Sequence, residues 1–458
     1  MKIHRAILLS MFILMCAKAP DERILARAGG RIITGEEFVQ RAEFSPEVRF
    51  RGPESARAGY LLDLLIDEKM AAQAAEEAGL DTATAVRQLT GFIKEMAAAR
   101  ELYRREVREQ VRIDEAEIDR AVEYQAQTRR IGYLVFDDPA LAEAYRQRLA
   151  EGTAFNAALQ SLYGSAADTA LNRREIRWGF NEAAIEEAAY ALQPGQVSPV
   201  IRVEGACMVM VLEEITSHPV TTESEKARQR QLARRILHGR KEAAISDRFV
   251  AVLAAEKKLE FNKNLVRRVT EFLARASGNS QKDPGRSLPE DGPLAAESIA
   301  DARRLLAGEL EAPLVTWSDG TLSLRQMLEK WQQYNFSVDQ ADEAACRRAI
   351  VRGFSLIARD ALLAGEAARR GCAGAAGVQK EVRMWRDHYL GLALQEQREN
   401  AVAGQFDWQP LLKEWRSRYP VQVDSMLLET IELNPAPMLA LRPGQYNGRV
   451  APPWIHFR

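Results

Sequence analysis

The side chains in this chain that can do chemistry are few and scattered. Its 458 residues include five histidines and four cysteines, residue types that often bind metal ions or act as nucleophiles. The histidines share no metal-ligand spacing; they are His4, His218, His238, His388 and His456. Cys207 has no base near it in the sequence, which favours a buried thiol over a nucleophile. We therefore expect no metal and no cofactor.

Length and charge narrow the class of protein further. A chain of 458 residues is long enough for two to four domains with substantial cores. Its formal net charge is −1 and its sequence pI is about 6.6, which argues against a general nucleic-acid-binding protein. The charged residues are mixed in sign, as on the solvated faces of helices.

The N-terminus has the pattern of an export signal. Lys2, His4 and Arg5 form a short basic start, and an apolar run follows over residues 6–15. That run is shorter than the roughly 20 residues that a membrane-spanning helix needs. Cys16 directly after it indicates lipidation, whereas Ala17-Lys18-Ala19 offers a cleavage site for a soluble form. We expect a protein of the periplasm or cell envelope that is anchored to the membrane by a lipid.

The remaining cysteines do not form a disulfide framework. Cys207, Cys346 and Cys372 are only three in a long exported chain, whereas disulfide-stabilised domains are small and cysteine-rich. Cys346 and Cys372 can pair if their helices are adjacent. Buried free thiols are the simpler expectation.

Two stretches about 290 residues apart carry the same order of signals. The first reads Gly30-Arg-Ile-Ile-Thr34-Gly-Glu-Glu37 and the second Gly320-Thr-Leu-Ser323-Leu-Arg-Gln326. Each predicts a tight turn, a short strand and a capping box, in which the hydroxyl accepts from an amide and the third residue's side chain reaches back. An amphipathic helix follows each stretch and ends at Gly79 or Gly371, the usual helix stop. The sequence therefore predicts two related helical modules.

The pattern changes between the modules. Residues 130–136 and 205–215 predict strands, and residues 140–150, 155–162 and 185–192 predict short helices. Further helices are predicted over 83–111, 115–128, 220–257 and 296–310. The predicted division is a signal region (1–20), an N-terminal helical module (21–128), an α+β domain (129–216), a helical connector packing on the N-terminal module (217–277), a linker (278–295), and a C-terminal helical module related to the first (296–458).

The α+β domain resembles the parvulin-type peptidyl-prolyl isomerase domain. The resemblance rests on Leu149-Ala-Glu-Gly-Thr-Ala-Phe155, Trp178-Gly-Phe180, Ala191-Leu-Gln-Pro-Gly-Gln-Val-Ser-Pro199 and Gly205-Ala-Cys-Met-Val209. The N-terminal module is similar to the helical chaperone part of SurA- and PrsA-like periplasmic foldases, through Ile32–Phe38 and Leu65–Lys69. The resemblance covers about residues 24–265. It implies an α+β protein in which mainly α-helical chaperone modules flank a small parvulin-like α+β domain.

The chemistry that the resemblance implies is rotation about an X–Pro bond, which is slow because the amide has a barrier of about 18–20 kcal/mol. A catalyst needs an apolar cup for the proline ring and polar groups that favour the twisted amide. In the family, two histidines from facing strands lie at the floor of this site. Their positions align here with Gly132 and Cys207, and a threonine position aligns with Val203. Isomerase activity is therefore expected to be weak or absent.

The resemblance also gives the candidate site residues. Cys207, Asp168 and Ser198 are the catalytic candidates, and the predicted substrate-binding residues are Trp178, Phe180, Ile185 and Met208. The leading prediction is an ATP-independent chaperone for unfolded or extended exported polypeptides. The alternatives are an active prolyl isomerase and a non-catalytic scaffold of an envelope complex. The proline-rich end of the chain, residues 435–458, is expected either to lie extended across a module or to be disordered.

Overall fold

The computed structural model describes residues 23–45, 53, 56–164, 170–203, 205–219, 221–280, 291–292, 296–334, 336, 338–339, 342–402, 405–434 and 449–457. The export signal with Cys16, the acidic candidate Asp168, and most of the predicted linker lie outside the described residues.

The described part of the chain is an α+β protein, as predicted. Its strands and helices are, in chain order, β1 (Ile24–Ala28), β2 (Arg31–Thr34), α1 (Gly35–Phe44), α2 (Arg57–Glu77), α3 (Thr84–Glu106), α4 (Glu115–Gln125), β3 (Gln127–Phe136), α5 (Pro139–Ala150), α6 (Phe155–Tyr163), β4 (Arg173–Arg177), α7 (Ala183–Ala191), β5 (Ile201–Val203), β6 (Ala206–Ser217), α8 (Glu223–Glu256), β7 (Glu260–Phe261), α9 (Lys263–Ser280), β8 (Asp291–Gly292), α10 (Ala296–Leu305), β9 (Pro313–Trp317), β10 (Gly320–Ser323), α11 (Leu324–Gln333), β11 (Val338–Asp339), α12 (Glu343–Arg369), α13 (Ala376–Asn400), α14 (Gln409–Arg418), β12 (Val421–Val423) and α15 (Ser425–Thr430).

These elements form two compact units. Among the described residues, those up to Leu102 and from Leu253 onward form the helical unit, and those from Tyr103 to Val252 form the α+β unit. Among the described residues, no helix has both the length and the apolar character needed to cross a bilayer. Cys207, Cys346 and Cys372 are all buried thiols outside any disulfide bond.

The first module of the helical unit is built on β1, β2, α1 and α2. The strands form an antiparallel hairpin whose turn has Gly29 in the left-handed region, at φ +57°. The Thr34 hydroxyl accepts from the Glu37 amide at 3.1 Å, as predicted. The Glu37 carboxylate, however, bonds the Lys69 ammonium at 2.6 Å and does not complete the predicted capping box, because a buried cation is a stronger partner than an amide.

The second module repeats this arrangement with β9, β10, α11 and α12. Here the predicted capping box is complete. The Ser323 hydroxyl accepts from the Gln326 amide at 3.3 Å, and the Gln326 side chain accepts from the Ser323 amide at 3.0 Å.

The long helix of each module ends in the same way. After α2, Gly79 takes φ +77° and a single 3₁₀ turn leads into α3; after α12, Gly371 takes φ +69° and a 3₁₀ turn leads into α13. Glycine reaches this left-handed conformation without the strain that a side chain would add.

Each module is completed by a strand and a helix from a distant part of the chain. β12 pairs with β1 in the first module, and β7 pairs with β9 in the second. The helix after each strand begins with a matching cap, because Asp424 accepts from the Leu427 amide and Asn262 from the Leu265 amide. The connector is predicted to pack on the N-terminal module, but its helix α9 packs with α12 of the second module. The chain's last helices pack with α2 instead.

The α+β unit contains a four-stranded antiparallel sheet in the order β4-β3-β6-β5. One face packs on α5 and α6. The other face packs on α7 and on residues of α4 and α8. β4 pairs with β3 from Thr128 to Gly132, and this strand was not predicted from the sequence.

Candidate functional site

The parvulin-like site is divided by the sheet of the α+β unit. Successive side chains on a strand point to opposite faces. On β6, Cys207 and Val209 lie in the cluster with α5 and α6, whereas Met208 and Met210 lie in the cluster with α7.

The predicted site residues are accordingly not brought to one place. Cys207 packs in the cluster of Phe136 and Tyr145. Three predicted substrate-binding residues, Met208, Trp178 and Ile185, are buried together on the opposite face. The fourth, Phe180, is 64% exposed, and Asp168 lies outside the described residues.

Ser198 is fully buried and holds a segment beside β6. Its hydroxyl accepts from the Met210 amide at 2.9 Å and donates to the Pro199 carbonyl at 2.8 Å. The Ser198 amide donates to the Met210 carbonyl. The hydroxyl thus both donates and accepts a hydrogen bond within the fold. Ser198 therefore has a structural role in this unit.

The position of the first family histidine is closed by an aromatic ring. A Cβ atom placed on Gly132 would lie 2.8 Å from the ring of Phe155, closer than real Cβ contacts. The Arg173 guanidinium lies over the Phe155 ring, 5.3 Å from its centroid. Cys207, which the sequence analysis aligns with the second histidine, also packs among apolar side chains, so neither aligned position presents a polar group.

The buried polar groups on the α7 face of the sheet bond to other parts of the fold and stabilise it. Arg129 donates to the Ala189 and Leu192 carbonyls at 3.0 and 2.8 Å, which closes the C-terminal end of α7. Its guanidinium stacks on Tyr190 at 4.5 Å. Burial raises the pKa of Tyr190 and lowers that of Arg129, so neither group is poised to exchange a proton near neutral pH.

Glu186 is similarly committed. Its carboxylate accepts from the Gly179 amide at 2.9 Å and the Asn181 amide at 2.7 Å, and it pairs with Arg240. A carboxylate with these partners holds the turn after β4 and has no free lone pair directed at a substrate.

A second candidate site lies in the first module, where an extended segment of the chain's own C-terminal region is bound. Residues 449–457 form no helix and only an isolated bridge at residue 449. Three side chains near the end of α1 donate to backbone carbonyls of this segment: Gln40 to Val450, Arg41 to Pro453, and Ser45 to Pro452. The segment is called the C-terminal strap below.

Apolar side chains fix the strap in place. Ile455 and Phe457 are 3% and 2% exposed. Phe457 packs edge-on against Trp408 and Trp415, with ring centroids at 5.0 and 5.9 Å. Ile455 approaches the bare backbone of Gly391 in α13, where a Cβ atom would lie 2.9 Å from its Cδ1.

A buried ionic network lies behind the strap. Arg41 is fully buried and pairs with both carboxylate oxygens of Glu68, at 2.6 and 2.8 Å. Burial would raise the pKa of Glu68, but Arg41 and His388 outweigh it and hold that pKa well below its usual range. Burial also lowers the pKa of His388, against the opposing effect of Glu68.

Lys69 extends the network to α13. Its ammonium bonds Glu37 at 2.6 Å and Asp387 at 2.8 Å. These two carboxylates outweigh burial and raise the pKa of Lys69. The sequence analysis names Leu65–Lys69 only as part of the family resemblance and does not predict this buried ionic network. The available signal was three consecutive charged residues inside an apolar helix, which is costly unless each charge is paired.

Comparison with known proteins adds structural neighbours. No family model matches the sequence, and no curated protein matches it. The chain is similar to the peptidylprolyl isomerase PrsA of Bacillus cereus (13% identity, TM-score 0.22, covering 50% of this chain and 92% of that one). It is also similar to the foldase PrsA of Streptococcus pneumoniae (13%, 0.21, 47% and 91%) and to a SurA-like chaperone of Campylobacter jejuni (14%, 0.22, 51% and 98%).

The structural neighbours are PrsA- and SurA-like foldases. In the described part of the chain, no three metal-ligating side chains converge.

Proposed function

We propose that this protein is a folding factor of the cell envelope that binds unfolded or extended exported polypeptides without ATP. The names of the structural neighbours, which include foldases and SurA-like chaperones, agree with this role. Attachment to a membrane through a lipid on Cys16 is part of the proposal, and loss of membrane association in a Cys16→Ser variant would test it.

The observation that carries the proposal is the way in which the first module holds the strap. Three of the described hydrogen bonds to the strap go from module side chains to its backbone carbonyls. Backbone carbonyls are common to all sequences, so such contacts recognise an extended chain and not a particular residue. The pocket of Trp408 and Trp415 around Phe457 adds affinity for large apolar side chains.

The geometry of the α+β unit favours binding over isomerisation. Rotation of an X–Pro bond needs polar groups beside the proline ring, whereas Phe155 covers Gly132 and Cys207 is enclosed by apolar side chains. We therefore propose that the parvulin-like unit has weak or no isomerase activity and serves as a further contact surface for the client.

Two assays on protein beginning at about Asp21 test the proposal. The first measures light scattering of chemically denatured citrate synthase, which we expect the protein to suppress in the absence of ATP. The second measures cis–trans isomerisation of a short X–Pro peptide, which we expect to proceed at the uncatalysed rate, over tens to hundreds of seconds.

The controls separate the alternatives. Robust isomerisation that is lost in Cys207→Ala would replace the chaperone proposal with an enzyme that uses this thiol. Failure to suppress aggregation of several unrelated clients, together with no isomerisation, would contradict both activities and leave a scaffold for one folded partner.

A further inference from the structure

The second module has an open groove between α9 and α12. Its volume is about 590 Å³, within the usual range for ligand sites. Four apolar side chains contribute to its lining: Phe261, Val266, Val351 and Phe354. Val351 is 43% exposed although it belongs to this apolar lining.

The rim of the groove is basic. Lys263 and Arg267 come from the α9 side, and Arg347 and Arg348 from α12. Glu271 also lines the groove, and its carboxylate lies 3.9 Å from Arg267. Arg347 and Arg348 lie 3.8 and 3.9 Å from Glu343 and Asp342. These ion pairs are long and solvated, so the arginines keep donors for a ligand.

A buried polar atom also faces this region. Thr270 lines the groove and is only 3% exposed, yet its hydroxyl oxygen has no hydrogen-bond partner among the described residues. A buried hydroxyl without a partner costs free energy. Because its oxygen is not exposed at the surface of the groove, the hydroxyl is not counted among the ligand contacts.

The first module indicates which class of ligand fits. Its long helix α2 belongs to the same core as the strap, an extended segment with apolar anchors. In the second module, the long helix α12 borders an open groove that also has apolar lining residues. The chain therefore already binds an extended polypeptide on one of two modules that share the same order of elements.

We propose that the groove between α9 and α12 binds an extended polypeptide in which an apolar side chain is flanked by acidic residues. The apolar side chain packs on Phe261 and Val351, and the acidic residues pair with Arg347 and Arg348. The inference rests on the proposed function and adds to it the site and the charge of the preferred client.

Binding of two labelled nine-residue peptides tests the charge preference. The probes are Gly-Asp-Asp-Val-Phe-Val-Asp-Asp-Gly and the same peptide with lysine in place of aspartate, followed by fluorescence anisotropy on the full mature chain. We expect the acidic peptide to bind at least about tenfold more tightly, and its affinity to fall with salt, because surface charge pairs are screened.

Single substitutions with matched controls locate the site. Arg348→Glu should weaken the acidic peptide by about tenfold through charge reversal, whereas Arg352→Glu, also on α12 but outside the groove lining, should change it less than about twofold. Val351→Asp should weaken binding, and Leu392→Asp, an exposed apolar position on α13, should not. Circular dichroism checks that each variant folds.

The outcomes distinguish this inference from the function on which it rests. Equal affinities of the Arg348→Glu and Arg352→Glu variants would overturn the groove, even if aggregation of citrate synthase is still suppressed. A protein that suppresses no aggregation and binds neither peptide would contradict the proposed function as well. Binding of phosphatidylglycerol vesicles, lost in Arg348→Glu without any peptide binding, would show that the groove takes an anionic lipid and would also overturn it.

Discussion

The two modules of the helical unit share one frame and differ in what covers it. Both have a β-hairpin, a capped short helix, a long helix that ends at a left-handed glycine, and a strand supplied from elsewhere in the chain. The first module is covered by the C-terminal strap, whereas the second has the open groove between α9 and α12.

Charge is the first difference between their interiors. Glu68 and Asp360 each lie eleven residues before the glycine that ends the long helix. Glu68 forms a fully buried ion pair with Arg41. Asp360 instead accepts from the Tyr334 hydroxyl at 2.7 Å and pairs with the partly exposed Arg359.

The packing of large and small residues is the second difference. Eight residues after the helix cap, the first module has Ala42 and the second has Trp331. Eighteen residues before the terminal glycine, the first has Leu61 and the second has Gly353. A Cβ atom on Gly353 would lie 2.3 Å from the Trp331 ring. In the second module, the indole of Trp331 therefore occupies the space that a side chain at position 353 would need.

The comparison indicates that one backbone frame serves two uses. Removing a partner from a buried charge is costly, and in the first module Arg41 obtains one of its partners, the Pro453 carbonyl, from the strap. The second module carries no such requirement at Asp360. In the first module the surface that holds an extended chain is occupied by the strap, whereas in the second module the groove between α9 and α12 is open.

Removal of the buried charge should produce the largest difference between the modules. Glu68→Gln leaves Arg41 buried without an anionic partner, which costs about 3–5 kcal/mol. Asp360→Asn keeps an acceptor for Tyr334 at a partly exposed site and should cost about 1 kcal/mol. Urea unfolding followed by tryptophan fluorescence measures both, because six of the seven tryptophans lie between residues 317 and 454. Equal losses of unfolding free energy in the two variants would contradict the proposed difference in buried charge between the modules.

Loss of the aromatic anchor of the strap should come next. Phe457→Ala removes a ring that packs on Trp408 and Trp415, and we expect a loss of about 3 kcal/mol. The released strap should then be cut by trypsin after Arg449 at a protease concentration that leaves the parent protein intact. Phe180→Ala, at a 64% exposed position, is the matched control and should change stability by less than about 0.5 kcal/mol. A strap as resistant as before would contradict its proposed attachment.

The reversed packing at Trp331 and Gly353 can be tested by a double-mutant cycle. Gly353→Leu alone should cost more than about 1–3 kcal/mol, since the new side chain overlaps the indole. Combined with Trp331→Ala, it recreates the residue pair of the first module and should recover part of that loss. A coupling free energy near zero would mean that the two positions do not compensate for each other.

The predictions that the structure confirms at the ends of helices depend on local sequence signals. Thr34 and Ser323 cap their helices, and Gly79 and Gly371 end theirs, because each signal depends on a few neighbouring residues. Local signals could not predict which distant strand and helix complete each module, namely β12 and α15 in the first and β7 and α9 in the second. β7 has only two residues, and the caps at Asn262 and Asp424 start a helix without specifying which module its apolar face will cover.

The candidate site divides along the same line. That Cys207 and Met208 lie on opposite faces follows from the strand period alone, so the sequence already contained that result. The contact of Phe155 with Gly132 joins residues of a helix and a strand, and no local pattern reports it. Nor could sequence order show that the strap would meet Arg41, since the two are more than 400 residues apart.

The smallest expected effect is the pH dependence that the first module's network imposes. Burial lowers the pKa of His388, while in the unfolded chain a histidine has a pKa of about 6.5. The unfolded state therefore binds more protons just below pH 6.5, and stability should fall as the pH drops through that range. Glu68, whose pKa is also lowered, adds a second loss only below about pH 4.5, where the unfolded carboxylate takes up its proton. In His388→Gln, the fall in the free energy of unfolding between pH 7 and pH 5 should be smaller by about 1 kcal/mol, and the steeper fall at lower pH should remain. Asp360→Asn is the control and should leave the fall between pH 7 and pH 5 unchanged. An unchanged slope in His388→Gln would mean that this histidine binds protons equally in the folded and unfolded states, which contradicts a lowered pKa.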